Sequence, residues 1–287
     1  MTIIDSHCHA WPRWPYRPPV PDDEQRGRVE QLLHEMDLHG VDRALIVSAQ
    51  IERNPENNAY IAGCVARYPE RLYQLADVDS VWSETHHQPG AAERLRQAAE
   101  RWPIVGFTHY LGQEDGSWLH SEEGLAFFGT AAELGLIASI ACQPRHQAAI
   151  RRVAERYPSV PILCHHLAGL KAGSGTADAG PASAGLHEVL ASARLPNIHI
   201  KLSGFAYCTH VQWDFPYRDT HPVVRALYEH FGAQRLCWGS DYPVVRFYMT
   251  YRQSLEAFRA HCTFVSEEDQ AWILGGTLER LLQKVHN

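Results

Sequence analysis

The chain has 287 residues, 45% of them hydrophobic, and carries 26 Lys and Arg against 33 Asp and Glu for a formal charge of −7. That apolar share suffices for a sizeable core and argues against long disorder. The acidic balance argues against a nucleic-acid or anionic-membrane surface, which needs a basic stripe, and no run of about 18 apolar residues is present to span a bilayer.

The opening Met-Thr-Ile-Ile-Asp-Ser-His lacks the basic segment and long apolar run of a signal peptide. From there short apolar strands alternate with amphipathic helices. Strands are predicted at Ile3–Ala10, Arg43–Ala49, Leu72–Val78, Ile104–Tyr110, Leu136–Cys142, Pro161–His166, Asn197–Ser203 and Leu236–Ser240. Between them, the helix through Val29, Leu32, Leu33 and Met36 stops at Gly40, which suits a left-handed cap. The next ends at Tyr68-Pro69, where proline cannot continue a helix. Ser121 caps a helix ending at Gly135, and Ser266 with Asp269 opens the last one. Seven cysteines, none paired as C-x-x-C, fit a reduced, cytoplasmic setting.

Eight β-then-α units without a composition break predict a single α/β domain over residues 1–287, a closed TIM-type (β/α)8 barrel. An open nucleotide-binding sheet would need G-x-G-x-x-G after the first strand, which is absent; Gly173-Ser-Gly175 lacks the third glycine. Three long segments follow strand C-terminal ends, where barrel enzymes keep their active sites. Trp11–Asp23, with five prolines and three aromatics, reads as a stiff rim; Lys171–Gly185, rich in Gly, Ala and Ser, reads as mobile. Gly204–Asp219 carries Tyr207, His210, Trp213, Phe215, Tyr217 and Arg218.

In Asp5-Ser-His-Cys-His9 the two histidines share a strand face and Cys8 points the other way. Two imidazoles at a barrel mouth can hold a divalent cation, although H-x-H alone is more often two separately bonded rings. Pro161-Ile-Leu-Cys-His-His166 supplies another histidine; because neighbours face opposite ways, one of His165 and His166 is expected to look inward, and spacing does not choose. Asp241 closes the eighth strand, a costly place for a carboxylate unless it is paired or used as ligand, general base or helix cap. Strict alternation in Asn197–Ser203 turns Lys201 inward, either toward an anionic substrate or toward a buried acid. His109 ends the fourth strand, with a site role and a core role equally open.

These blocks resemble the amidohydrolase superfamily over essentially the whole chain. The similarity is greatest to the branch with 2-pyrone-4,6-dicarboxylate lactonases, sugar-acid lactonases and 4-sulfomuconolactone hydrolases. It rests on Asp5-Ser-His-Cys-His9, Gly106-Phe-Thr-His109, His166-Leu-Ala-Gly169, Lys201-Leu-Ser-Gly204 and Trp238-Gly-Ser-Asp-Tyr-Pro243. The resemblance implies that His7, His9, His166 and Asp241 are the catalytic residues and the metal ligands, with His165 the substituted neighbour. It implies hydrolysis of a small, anionic lactone by water activated at Asp241. One zinc or manganese ion assists, or no metal at all, since relatives of both kinds exist. Thr108 stands where several relatives carry a substrate-binding arginine, so Arg145, Arg218 or Arg246 is expected to compensate. His109, Lys201, Tyr207, Trp213 and His165 complete the expected substrate site. Rim aromatics Trp11, Trp14, Tyr16, Tyr207, Trp213 and Tyr242 suit a flat ring. A related branch of metal-dependent decarboxylases of aromatic or muconate-type acids shares the first-strand histidines and the aspartate, and is the alternative; a silent binding barrel is a third. The expected partner is a small-molecule substrate, with neither nucleic acid nor membrane. Barrels of this type often form homo-oligomers, and no interface is legible.

Overall fold

A computed structural model describes residues 1–15, 25–51, 53–114, 116–173 and 181–285, with the backbone alone for 181–183. In chain order the elements are β1 (Ile4–Cys8), α1 (Val29–His39), β2 (Arg43–Val47), α2 (Asn57–Arg67), β3 (Leu72–Asp77), α3 (Ala91–Arg101), β4 (Ile104–Tyr110) and α4 (Glu122–Glu133). There follow β5 (Ile137–Ala141), α5 (Gln147–Arg156), β6 (Ile162–Cys164), α6 (Pro181–Leu190), β7 (Ile198–Leu202), α7 (Phe205–Cys208) and α8 (His221–Phe231). The chain ends with β8 (Leu236–Trp238), α9 (Tyr251–Arg259), α10 (Glu267–Ala271) and α11 (Thr277–Val285). The eight strands lie in sequence order in one parallel sheet, as the uninterrupted β/α alternation predicts.

The predicted helix ends are found where the sequence places them. Gly40 terminates α1 at φ 70°, and Ser121 Oγ accepts from Gly124 N at the start of α4. Ser266 Oγ accepts from Asp269 N and opens α10, which runs through a π turn, Trp272–Gly276, into α11. Helix α6 begins at Pro181, inside the segment read as mobile; residues 174–180, like Tyr16, lie outside the described residues.

Two apolar layers result from strand alternation. Outward residues such as Ala44, Ile46, Phe107 and Ile200 pack under the helices. Inward residues Ile4, Leu45, Val47, Leu75, Ile137, Leu163 and Cys237 fill the lower barrel, and Leu278, Leu281 and Leu282 of α11 close it from below. The upper half of the interior is therefore left for polar side chains. All seven cysteines are buried free thiols. Among the described residues, no helix is long and apolar enough to cross a membrane.

A cleft of about 560 Å³ opens at the N-terminal end of the strands, between Pro161, Asn197, His199, Arg235, Arg280 and Lys284. His199 is buried there, its Nδ1 3.2 Å from the Asn197 carbonyl. Burial pushes its pKa down from 6.5 to about 4, against the Asn197 carbonyl and with help from Arg280, Arg235 and Lys284. A histidine depressed on folding contributes stability that is complete above its unfolded pKa and is lost as pH falls through the folded value. Between pH 6.5 and 4 the wild type should therefore lose up to about 3 kcal/mol relative to His199→Gln. Urea unfolding of both proteins across that range measures the difference; parallel stability curves would contradict it.

Candidate active site

The β1–β8 seam places the candidate residues. Beyond Trp238 the chain continues beside β1, where Asp241 N donates to the His7 carbonyl at 2.7 Å and His9 N donates to the Tyr242 carbonyl at 2.6 Å. Asp5 clamps the same seam. Its Oδ1 accepts from Ser240 N at 2.9 Å and His7 N at 3.1 Å, and its Oδ2 accepts from the hydroxyls of Ser240 and Tyr251. Burial raises the Asp5 pKa to about 6, with these hydrogen bonds opposing it. On an unbroken strand Asp5 and His7 would share a face; a register shift between Asp5 and Cys8 turns Asp5 toward α9 and His7 toward the barrel axis. Gly239 is required opposite: a Cβ there would lie 2.7 Å from His7 Cβ.

At the mouth, Asp241 Oδ1 faces three imidazole nitrogens: His7 Nε2 at 3.4 Å, His9 Nε2 at 3.6 Å and His166 Nε2 at 3.9 Å. Tyr207 donates its hydroxyl to Asp241 Oδ2. Asp241 has φ 60°, a left-handed conformation that aspartate tolerates better than most residues. Each ring is held from behind. His9 Nδ1 lies 2.6 Å from the Val47 carbonyl, His166 Nδ1 3.0 Å from Ser203 Oγ, and His7 Nδ1 3.2 Å from Lys201 Nζ. The carbonyl can only accept, so His9 carries a proton on Nδ1 and turns Nε2 toward Asp241. Trp11 stacks on the His9 ring at 5.0 Å and donates its indole N–H to Ala49.

Lys201 is fully buried, and its Nζ donates to Ser139 Oγ at 2.8 Å. Burial pushes its pKa down to about 7. Its Nζ lies 3.2 Å from His7 Nδ1 and holds that ring from behind. Lys201 thus positions His7 and does not reach the mouth. The Lys201-Leu-Ser-Gly204 block serves two histidines, because Ser203 orients His166 and a Cβ on Gly204 would strike the His166 ring at 2.8 Å.

His165 and His166 both turn inward, contrary to strand alternation. Strand β6 ends at Cys164, and His166, Leu167 and Ala168 are left-handed at φ 46–55°. The tight turn brings His166 and His165 against the His7 ring, at centroid distances of 4.4 and 4.5 Å. Ser139 Oγ pairs with His165 Nε2 at 2.7 Å, so this one hydroxyl joins His165 to Lys201.

Burial drives His7 and His165 well below 6.5 and His166 to about 4, so the rings are neutral at neutral pH. Burial alone would raise Asp241; the rings of His166, His7 and His9 outweigh it and hold the carboxyl well below its usual range. Neutral imidazoles around an ionised carboxylate are what a divalent metal requires. His7 Nε2 is buried without a hydrogen-bond partner. Ligands about 2.0–2.1 Å from a tetrahedral ion lie about 3.3 Å apart, close to the 3.4 and 3.6 Å from Asp241 to His7 and His9. The residues fit a metal: His7, His9 and Asp241 bring candidate donor atoms within 4.8 Å of one another, as do His7, His165 and His166.

Other residues singled out from the sequence lie elsewhere. His109 faces outward, its ring stacked on Trp118 and tilted on Phe127, because it shares parity with Phe107 rather than with Thr108 and Tyr110. Trp213 is 85% exposed. Arg246 contacts Gln31, Arg145 is bound by the Gly112 carbonyl and Gln113, and Arg218 is exposed beside His221. Tyr242 packs on Tyr251 and Trp14 on Phe247, so neither is an open rim. Conversely, Asp5, Tyr110 and Ser139 belong to the site's surroundings without having been chosen. Tyr110 meets the His165 ring at 5.2 Å. A serine amid Ile137-Ala-Ser-Ile-Ala141 was the available signal for Ser139, since a hydroxyl in a buried strand needs a partner.

Residues 4–284 match the family model for amidohydrolases, and the chain belongs to that family. Among curated proteins it is 39% identical over 108 residues to an L-fucono-1,5-lactonase of Burkholderia ambifaria, an alignment spanning 36% of this chain and 33% of that protein. The match thus reaches about a third of that relative's length. Its fold is shared with a probable 2-pyrone-4,6-dicarboxylic acid hydrolase of Acinetobacter baumannii (TM-score 0.76, 20% identity, 99% and 100% of the two chains). It is shared also with a zinc-bound amidohydrolase of Burkholderia multivorans (TM-score 0.74, 19% identity, 99% of each chain).

If the cluster holds a metal, support from behind must matter. Ser203→Ala should weaken zinc binding by about tenfold and His9→Ala by more. Competition with a chromophoric chelator reads both; unaltered affinity in both variants would rule the cluster out as a metal centre.

Proposed function

We propose that the chain is a lactonase that opens a small lactone ring with water activated at Asp241. The observation that carries this reading is the Asp241 carboxylate: buried, ionised, faced by three imidazoles and held by Tyr207 at the mouth of the barrel. The lactone class is supported by the identity to the fuconolactonase over 108 residues. In the reaction Asp241 accepts a proton from water as the water oxygen bonds to the ring carbonyl carbon. The acyl C–O bond then breaks, the ring oxygen takes a proton as the leaving hydroxyl, and the carboxylic acid formed releases one proton at neutral pH. His166 and Tyr207 are the partly exposed members of the group and form the side from which substrate approaches. Lys201 and Ser203 keep the His7 and His166 rings aimed.

We assign the metal as zinc, held by Nε2 of His7, His9 and His166 and by Asp241; three nitrogens and one carboxylate suit it better than manganese, which favours oxygen donors. When bound, such an ion supplies Lewis acidity and lowers the pKa of water toward about 7. The zinc in the Burkholderia multivorans relative supports the assignment.

Within the lactones, the observations favour a sugar lactone over the anionic ring expected from the sequence. The identity to the fuconolactonase supports the sugar lactone; of the arginines expected to bind an anionic ring, Arg145 and Arg246 are hydrogen-bonded elsewhere and Arg218 is exposed beside His221, while Lys201 lies beneath His7. Decarboxylation of an aromatic or muconate-type acid is weaker for the same reason. The barrel is read as one catalytic domain, 1–287.

A pH-stat screen of aldonolactones, muconolactones and pyrone dicarboxylates tests the proposal, with proton release expected from the aldonolactones. Asp241→Asn should cut the rate by about 10²–10⁴-fold with the circular dichroism spectrum unchanged. A near wild-type rate in that variant would remove Asp241 as the base. Silence on all lactones together with carbon dioxide release from an aromatic acid would establish the decarboxylase instead.

A further inference from the structure

The cleft at the N-terminal end of the strands, across the barrel from the candidate active site, carries three cations and, among the described residues, no carboxylate in its lining. Arg235 stands between α8 and β8, and Arg280 and Lys284 lie one turn apart on α11. We infer that this cleft binds a small organic phosphate, with the phosphate at Arg280 and Lys284 and an apolar body against the proline walls.

The positive charge here is uncompensated. Elsewhere arginines meet carboxylates: Arg43 pairs with Glu279 at 2.9 Å, Arg151 with Glu188 at 2.8 Å and Arg194 with Glu155 at 2.6 Å. Glu279, the residue before Arg280, is thus turned away from the cleft toward Arg43. Arg235 instead donates to the carbonyls of Phe231, Ala193, Leu195 and His230. Arg280 donates to the side chain and the carbonyl of Gln234, at 2.7 and 2.6 Å. Neutral partners fix both guanidinium groups and leave their charge in place. Burial lowers the Arg235 pKa, and among the described residues no carboxylate pulls it back. The charges also converge, because Arg280, Arg235 and Lys284 all add to the burial that depresses the His199 ring in the cleft wall. In a chain of net charge −7 this accumulation runs against the composition. Like charges around one cleft repel, and a bound polyanion removes that cost.

The rest of the lining suits an organic body. A volume of about 560 Å³ exceeds what inorganic phosphate fills and lies in the range of small-molecule sites. Pro158, Pro161, Pro196, Phe231 and Leu281 supply apolar walls. Arg280 lies over the Trp272 ring at 5.4 Å, and Gln234 takes two of the donors on its fork. The donors left over, with the Lys284 ammonium, match the acceptor oxygens of a phosphate. Leu281 also belongs to the apolar plug that closes the lower barrel, so a ligand here braces α11 without reaching the candidate active site.

The test is calorimetric titration of the full chain with phenyl phosphate at low ionic strength. Wild type should bind one equivalent that Arg280→Gln with Lys284→Gln binds at least about tenfold more weakly, and that Asp241→Asn retains. Phenyl phosphate should also raise the thermal midpoint of wild type more than that of the double variant. Absence of binding to wild type, or unaltered affinity in the double variant, overturns the proposal. Loss in Asp241→Asn alone overturns it too, by placing the anion at the barrel mouth. Gluconate, a monoanionic carboxylate, should bind at least about tenfold more weakly than phenyl phosphate; equal affinity overturns the choice of a phosphate. Should the double variant fail to fold, Lys284→Glu alone, at an exposed position, reads the same loss.

Discussion

Closing the barrel between its first and last strands is the constraint on which the site depends. Strand β8 is three residues long, and the seam is completed by the Gly239–Tyr242 turn rather than by a strand ladder. Two backbone hydrogen bonds and the Asp5 carboxylate join segments about 235 residues apart. That closure delivers Asp241 to His7 and His9. Each strand is already aligned by its neighbour before the seam is shut, which makes the long-range pairing possible. Gly239 and the β1 irregularity are the local adjustments that let the two segments approach with His7 pointing inward.

Burying this much polarity is stable only because each group has a defined protonation state and partner. Four rings and a lysine share the upper barrel, and charging all of them would cost far more than a barrel can supply. Burial instead keeps His7, His165 and His166 neutral and brings Lys201 to about 7, while Asp241 stays ionised. Ser139 and Ser203 then set the orientation through hydroxyls, which can donate or accept as required. The same logic of carbonyl-fixed protons recurs outside the wall at His86 and His109.

Much of this was legible in the sequence where a periodic rule held. Period-two alternation placed all eight strands to within a few residues and turned His9, Lys201 and Ser203 inward. It failed where the backbone leaves the strand. A left-handed turn at His166–Ala168 gathers both histidines that alternation would have separated. His7 and His9 share the inward face as expected, and the irregularity between Asp5 and Cys8 is what turns both of them there while Asp5 faces α9. His109 sits at a strand end as expected, yet the outward parity of Phe107 takes it to α4. The arginines and Trp213 lie on rim segments, where no repeat fixes direction.

By itself the sequence determined the eightfold β/α order, the apolar layers, the helix ends and the residue types available at the mouth. These follow from local rules of spacing, capping and proline or glycine geometry, which need no knowledge of distant neighbours. Only the tertiary structure decided which of those residues meet: the seam that pairs Asp241 with His7 and His9, the turn that adds His165 and His166, and the outward cluster around His109. Such contacts depend on where a chain leaves regular geometry and on what lies opposite it across a closed sheet, and neither is encoded in the spacing of one segment.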